Sequence, residues 1–252
     1  MIKAIIYGSN GKMAQVVSKQ IEIEKDIEVV AGIDRYEGNI KTTYPVYKNP
    51  YEYNGEAHVI IDFSHPSYLE EMLDFSINRK IPLVIATTGF SDEQLKQIEE
   101  ASKKVPILHS SNMSLGINIL SRVLSNISKI LSEDFDIEII EKHHNQKVDA
   151  PSGTAYLLAN AINESLDNSK EYTYGREGKS AKREKKEIGI HAIRGGTIPG
   201  EHTVIFAGDD EIIELKHTAL SKNIFALGAI KSARFIVKAE AGLYTMDDIF
   251  GK

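Results

Sequence analysis

Along the first hundred residues, short apolar runs alternate with segments whose apolar positions recur every three or four residues. A parallel sheet wound with helices leaves this pattern in a sequence. Strands are expected near 2–7, 27–33, 57–63, 81–87 and 105–109. Between the first two, Met13, Val16, Val17, Gln20 and Ile21 fall on one helical face, and Ser91 with Gln94 forms a capping box ahead of Leu95 and Ile98. Beyond about residue 114 the texture changes. A long helix with Leu120, Val123, Leu124, Ile127 and Leu131 on one side leads to a strand over 135–140, and strands over 188–193, 203–206 and 212–215 follow. The expected fold class is α/β: a doubly wound parallel sheet, then a second α+β domain with mixed or antiparallel sheet.

Composition narrows the chemistry. A chain of 252 residues, 42% hydrophobic, can bury one large core or two modest ones. Thirty Lys and Arg against 36 Asp and Glu leave a net charge of −6, which gives no general attraction to nucleic acid or an anionic membrane. With no cysteine, disulfides, thiolate metal ligands and a Cys nucleophile are excluded, and a reducing, cytoplasmic setting is compatible. The run Ile2 to Tyr7 is too short for the apolar region of a signal peptide, and no stretch of about 18 apolar residues is present to span a membrane. The charged stretch Gly178 to Glu187 lacks aromatics and interleaves glutamates, so it reads as a solvated loop and not as a nucleic-acid patch.

The turn Gly8-Ser9-Asn10-Gly11-Lys12-Met13-Ala14 follows the first strand and opens the first helix, where backbone N–H groups can receive a pyrophosphate. It reads G-x-x-G-x-x-A, with Asn10 where the Rossmann-like fingerprint has its middle glycine, and two glycines also occur in such turns for steric reasons alone. The second strand ends in Asp34-Arg35, 23 residues beyond Gly11, where an acid accepts from a ribose diol. Arg35 could instead pair with a 2′-phosphate, so features for both NADH and NADPH are present. The strand ends Asp62-Phe63-Ser64 and Ala86-Thr87-Thr88-Gly89 point to the same crevice, beyond the carboxyl ends of the strands.

The densest cluster is Glu141-Lys142-His143-His144-Asn145-Gln146-Lys147-Val148-Asp149-Ala150-Pro151-Ser152-Gly153-Thr154-Ala155. Adjacent residues of an extended segment point opposite ways, so His143 and His144 cannot both be core histidines on one face. Pro151-Ser152-Gly153-Thr154 precedes an amphipathic stretch carrying Leu157, Leu158, Ala161 and Ile162, and the N–H groups at that helix start can bind a carboxylate with Lys147 nearby.

The pattern E-x-H-H-x-x-K-x-D-x-P-S-G-T resembles the signature of 4-hydroxy-tetrahydrodipicolinate reductases. The cofactor turn, both strand ends, Ser110-Ser111-Asn112-Met113-Ser114-Leu115-Gly116-Ile117-Asn118 and Ile193-Arg194-Gly195-Gly196-Thr197-Ile198-Pro199-Gly200-Glu201-His202 carry the likeness along nearly the whole chain. The resemblance implies a cytoplasmic, homotetrameric enzyme reducing a small cyclic dicarboxylate with NADH or NADPH in lysine and diaminopimelate biosynthesis. It implies a dinucleotide-binding domain over 1–114, completed by 223–252, and a substrate-binding and oligomerisation domain over 115–222. The implied cofactor contacts are Gly8, Ser9, Asn10, Gly11, Lys12, Met13, Asp34, Arg35, Ala86, Thr87, Thr88, Ser110, Ser111, Asn112 and Met113. His143 would donate or accept a proton, His144 and Lys147 would bind or protonate substrate, and Gly153 with Thr154 would hold a carboxylate, joined by Ser152. Ala86 and the Ser110-Ser111 pair depart from the family pattern without removing a functional group, and Lys222 stands where a base could reach a substrate carboxylate.

Three rivals differ in testable ways. Other two-domain dehydrogenases share the cofactor turn and lack the His-His-x-x-Lys cluster, and a nucleotide-sensing scaffold would have lost its proton donors. A metal site built on His143, His144 and Asp149 lacks a compact third or fourth ligand at a familiar spacing.

Overall fold

The computed structural model describes residues 1–36, 38 and 42–251. In chain order it runs β1 (Ile2–Tyr7), α1 (Lys12–Ile21), β2 (Ile27–Ile33), β3 (Val46–Tyr47), β4 (Val59–Asp62), α2 (Leu69–Arg79), β5 (Leu83–Ile85), α3 (Asp92–Ser102) and β6 (Pro106–His109). There follow α4 (Leu115–Leu131), β7 (Asp136–His143), α5 (Gly153–Ser165), β8 (Glu171–Tyr174), β9 (Glu187–Arg194), β10 (Glu201–Ala207), β11 (Ile212–Thr218), α6 (Asn223–Ile236) and β12 (Gly242–Tyr244). The chain divides into two compact units, 1–115 with 222–252 and 116–221. Lys252, in the expected completing segment, lies outside the described residues.

The first unit is a seven-stranded sheet in the order β12-β6-β5-β4-β1-β2-β3, every pairing parallel. Alternate residues of β1 explain its unbroken apolar run. Ile5 and Tyr7 pack with α2 and α3 through Leu69, Met72, Phe75 and Ile98, while Ala4 and Ile6 pack with α1 and α6 through Val17, Ile21, Ala229 and Ile230. Both faces are covered, so neither can be polar. The chain leaves β1 toward β2 and returns on its other side as β4, which makes β1 and β4 the switch point where the crevice of a doubly wound sheet opens. The capping box of Ser91 and Gln94 is present at the start of α3.

The second unit holds a five-stranded mixed sheet, β11-β10-β7-β9-β8. The β7–β10 and β10–β11 pairs are antiparallel and the β7–β9 and β8–β9 pairs parallel. Ile137 and Ile139 of β7, with Val204 and Phe206 of β10, form one core with Leu124 of α4 and Leu158 and Ile162 of α5.

Several sequence expectations shift by one position. The buried face of α1 is Ala14, Val17, Ser18 and Ile21, leaving Met13 and Gln20 partly exposed. Ser18 is accepted in the core because its hydroxyl donates to Ala14 O and meets the Tyr44 hydroxyl at 2.7 Å. Leu95 and Val123 are exposed, and α5 buries Ala155, Leu158, Ala159 and Ile162 rather than Leu157 and Ala161. Each of these helices carries a small residue on its buried face: Ala14 on α1, Ala101 on α3, Ser128 on α4 and Ala155 on α5. The 178–187 stretch is mostly exposed, yet Arg183 folds back onto Asp136 and Glu138, so it is an anchored loop rather than a purely solvated one. Among the described residues no helix is long and apolar enough to cross a membrane.

Candidate active site

In the first unit the expected cofactor residues gather at the carboxyl ends of β1, β2, β4, β5 and β6. The β1–α1 turn approaches the chain after β4 so closely that a Cβ on Gly8, whose φ is +72°, would stand 2.7 Å from Ser64 Cα. Only glycine fits that position. Gly11 ends the turn as the N-cap of α1, and no side chain caps the helix, leaving its positive end to a ligand.

Asp34 is buried, and its two oxygens accept from Asn10 N and Tyr36 N, each at 3.0 Å. A carboxylate has about four acceptor positions, so capacity remains for a diol. Asn10, Asp34, Tyr36, Thr42, Val46, Tyr47 and Lys48 line a cavity of about 340 Å³ beside it, within the size range of small-molecule sites. These features fit a nicotinamide dinucleotide, whose adenosine end Asp34 would hold. Arg35 is turned elsewhere: its guanidinium lies 4.4 Å from the centre of the Tyr68 ring and 3.6 Å from Glu71.

The remaining candidates separate by exposure. Ser9 is fully buried with its hydroxyl against Gly32, and Met113 is buried with its carbonyl against Gly228, so each can offer a ligand little beyond backbone. Ser110, Asn112 and Ser114 close a turn on themselves, the Ser110 hydroxyl donating to Asn112 O and Asn112 Oδ1 accepting from Ser114 N. Lys12, Thr88 and Ser111 are exposed, Ala86 half-buried and Thr87 buried. Asp62 is fully buried, and burial pushes its carboxyl above the usual range despite the Ser64 amide and hydroxyl that it accepts.

In the second unit the inward alternation of β7 continues past Ile137 and Ile139 to Glu141 and His143. Glu141 Oε2 accepts from His143 Nδ1 at 2.6 Å and from an Arg194 nitrogen at 2.7 Å, while Oε1 accepts from the other Arg194 nitrogen at 2.7 Å and from Ser152 N at 3.0 Å. Burial alone would raise this carboxyl, but Arg194 and then His143 outweigh it and hold it below the usual range. His202 on β10 faces Glu141 in register, and its ring lies edge-on to that of His143, centroids 5.2 Å apart.

Ser152 is the N-cap of α5: its Oγ accepts from Ala155 N and meets His202 Nε2 at 2.8 Å. That hydroxyl is thus occupied within the protein, whereas the sequence pointed to substrate. Gly153, the first helical residue, is exposed with nothing within 4 Å of where a side chain would stand, so a ligand can reach its backbone. Thr154 and His144 are half-buried, and Lys147 Nζ is 2.8 Å from Asp149 Oδ1. Burial and then the neighbouring His143 lower His202 to about 4, and the ring contact with His143 and the bond to Ser152 set His143, His202 and the start of α5 side by side.

Glu141, Arg194 and His202 are the residues that sequence reasoning left without a role. Glu141 was detectable, since a strand puts it on the face of His143; Arg194 and His202 lie 53 and 61 residues beyond Glu141 and become neighbours only through the pairing of β7 with β9 and β10.

Family profiles for the N-terminus and the C-terminus of dihydrodipicolinate reductase match residues 2–113 and 116–250. A 4-hydroxy-tetrahydrodipicolinate reductase of Clostridium novyi is 51% identical over 249 residues, covering 99% of this chain and 98% of that protein. One from Caldanaerobacter subterraneus is 51% identical over 252 residues, covering 100% and 99%. The structure of dipicolinate-bound dihydrodipicolinate reductase from Paenisporosarcina sp. TG-14 superposes with a TM-score of 0.82 at 26% identity, over 97% of each chain.

Proposed function

The chain belongs to the dihydrodipicolinate reductase family, and from that premise we propose that it reduces 4-hydroxy-tetrahydrodipicolinate to tetrahydrodipicolinate in lysine and diaminopimelate biosynthesis. The balanced reaction consumes the hydroxylated ring compound, NAD(P)H and one proton, and yields the reduced ring, NAD(P)⁺ and water. When bound, the reduced nicotinamide supplies the hydride. The first unit takes the cofactor, with the turn at Gly8 to Gly11 and the start of α1 receiving pyrophosphate and Asp34 the ribose.

The second unit takes the substrate. The observation that carries this reading is the packing of the His143 ring against His202, itself bonded to Ser152 at the open start of α5, with Lys147 in the loop that joins β7 to α5, which offers a dianionic ring both positive charge and a proton donor. Gly153 and Thr154 hold one carboxylate at the helix start, and Lys147, with His144 beside it, holds the other. His143 moves the proton at Nε2, since Nδ1 is engaged by Glu141. Such transfer contributes about 10²- to 10⁴-fold. The same family membership supports a homotetramer in the cytoplasm; sedimentation of a monomer would remove the first of these.

Purified protein should oxidise NADH or NADPH only when 4-hydroxy-tetrahydrodipicolinate, freshly made by a dihydrodipicolinate synthase, is added. No absorbance loss at 340 nm with either cofactor, at about millimolar substrate, defeats the assignment.

A further inference from the structure

Glu141 is the most fully bonded buried charge in the second unit. It is completely buried, and the His143, Arg194 and Ser152 donors take both sides of each oxygen. An ionised carboxylate offers about four acceptor positions and no proton. A neutral imidazole that bonds to it through Nδ1 must therefore carry its hydrogen on Nδ1 and present a lone pair at Nε2. Arg194 is itself fixed, donating to Ile193 O at 2.8 Å and Asp149 O at 2.6 Å, so the carboxylate is clamped on a rigid fork. At the other ring nitrogen, a Cβ at Gly200 would come within 3.2 Å of His143 Nε2, so glycine keeps a side chain out of that contact.

We propose that Glu141 is the positioning residue of this site, setting the tautomer and ring plane of His143 so that Nε2 faces the substrate, with Arg194 locking the carboxylate. The claim rests on the proposed function only in naming what Nε2 faces. His202 on β10 lies edge-on to the ring, centroids 5.2 Å apart, and Lys147 with its partner Asp149 stands in the loop that follows β7. The imidazole makes its hydrogen bond through Nδ1, and the partner is Glu141. If the carboxylate served only to neutralise Arg194, the ring would be free to turn.

Glu141→Gln keeps the shape but replaces two acceptor positions with N–H donors that oppose Arg194 and His143. We expect kcat to fall about 10- to 100-fold with KM changed less than about threefold. In a His143→Gln background the same change should cost nothing further, because its effect runs through the imidazole. Nitrogen-15 spectra at alkaline pH should show the wild-type His143 ring protonated at Nδ1 and the variant ring shifted toward Nε2–H. Undiminished kcat in Glu141→Gln, an equal loss with and without His143, or a wild-type ring protonated at Nε2 overturns the proposal. The wild-type spectrum needs neither a folded variant nor reductase activity. A protein that fails to reduce the substrate therefore sinks the proposed function while the positioning claim is still decided by the ring nitrogens.

Discussion

Lys147 and Asp149, two residues apart in the loop between β7 and α5, are joined through Nζ and Oδ1 at 2.8 Å. The ammonium holds the Asp149 carboxyl below its ordinary range, yet half of the Asp149 side chain is exposed, and such pairs contribute at most about 1 kcal/mol. If Lys147 holds a substrate carboxylate as proposed, Asp149 competes with that carboxylate for the ammonium. Asp149→Asn should lower the substrate KM by about two- to fivefold with little change in kcat, whereas Lys147→Ala should impair both. Steady-state kinetics of the two variants decides this; a raised KM for Asp149→Asn would show that the acid helps build the site.

Replacing His143 by Gln should lower kcat by about 10²- to 10⁴-fold while KM stays nearly constant, because a proton in flight is a transition-state interaction. Initial rates over a range of substrate concentrations measure both, and full activity would dismiss His143 as the proton carrier.

His202 makes folding sensitive to acid. Its folded pKa is lowered by burial to about 4 from 6.5, so between those values the unfolded chain binds a proton that the folded chain refuses. Stability is then fully present above about pH 6.5 and is lost as pH falls toward 4, by up to about 3 kcal/mol from this group. Urea midpoints across that window should fall with acid in the wild type and less steeply in His202→Gln.

Gly228 on α6 packs on the carbonyl of Met113, where a Cβ would stand 1.7 Å from the oxygen. Because backbone must move, Gly228→Ala should cost at least about 2 kcal/mol and lower Tm by roughly 4–8 °C. Thermal melts check this; an unchanged Tm would mean that α6 slides freely.

Asp34 puts a carboxylate beside the cavity proposed to take adenosine, and Arg35 is engaged by Tyr68 and Glu71. NADH should therefore bind more tightly than NADPH, and Asp34→Asn should narrow the gap about tenfold by removing like-charge repulsion. Fluorescence titration of each cofactor gives the dissociation constants directly.

Much of this was legible along the chain because it depends on neighbours in sequence. The parallel-strand runs, the Gly8 to Gly11 turn, the Ser91 capping box and the cluster from His143 to Thr154 are local patterns of period, turn chemistry and composition. Short strands such as Val46–Tyr47, Glu171–Tyr174 and Gly242–Tyr244 carry too few residues to show a period, and they form because a longer strand offers an edge.

What the linear order determined by itself is which residues carry charge, proton and anion-binding capacity, and that His143 and His144 point opposite ways in an extended segment. Tertiary structure alone decided which of them are already engaged. Ser152 is taken up by His202, Arg35 by Tyr68 and Glu71, Glu141 by Arg194. Hydrogen bonds and ion pairs act over a few ångströms in space, and the partners here come from strands and helices distant in sequence, brought together only when the sheets pair.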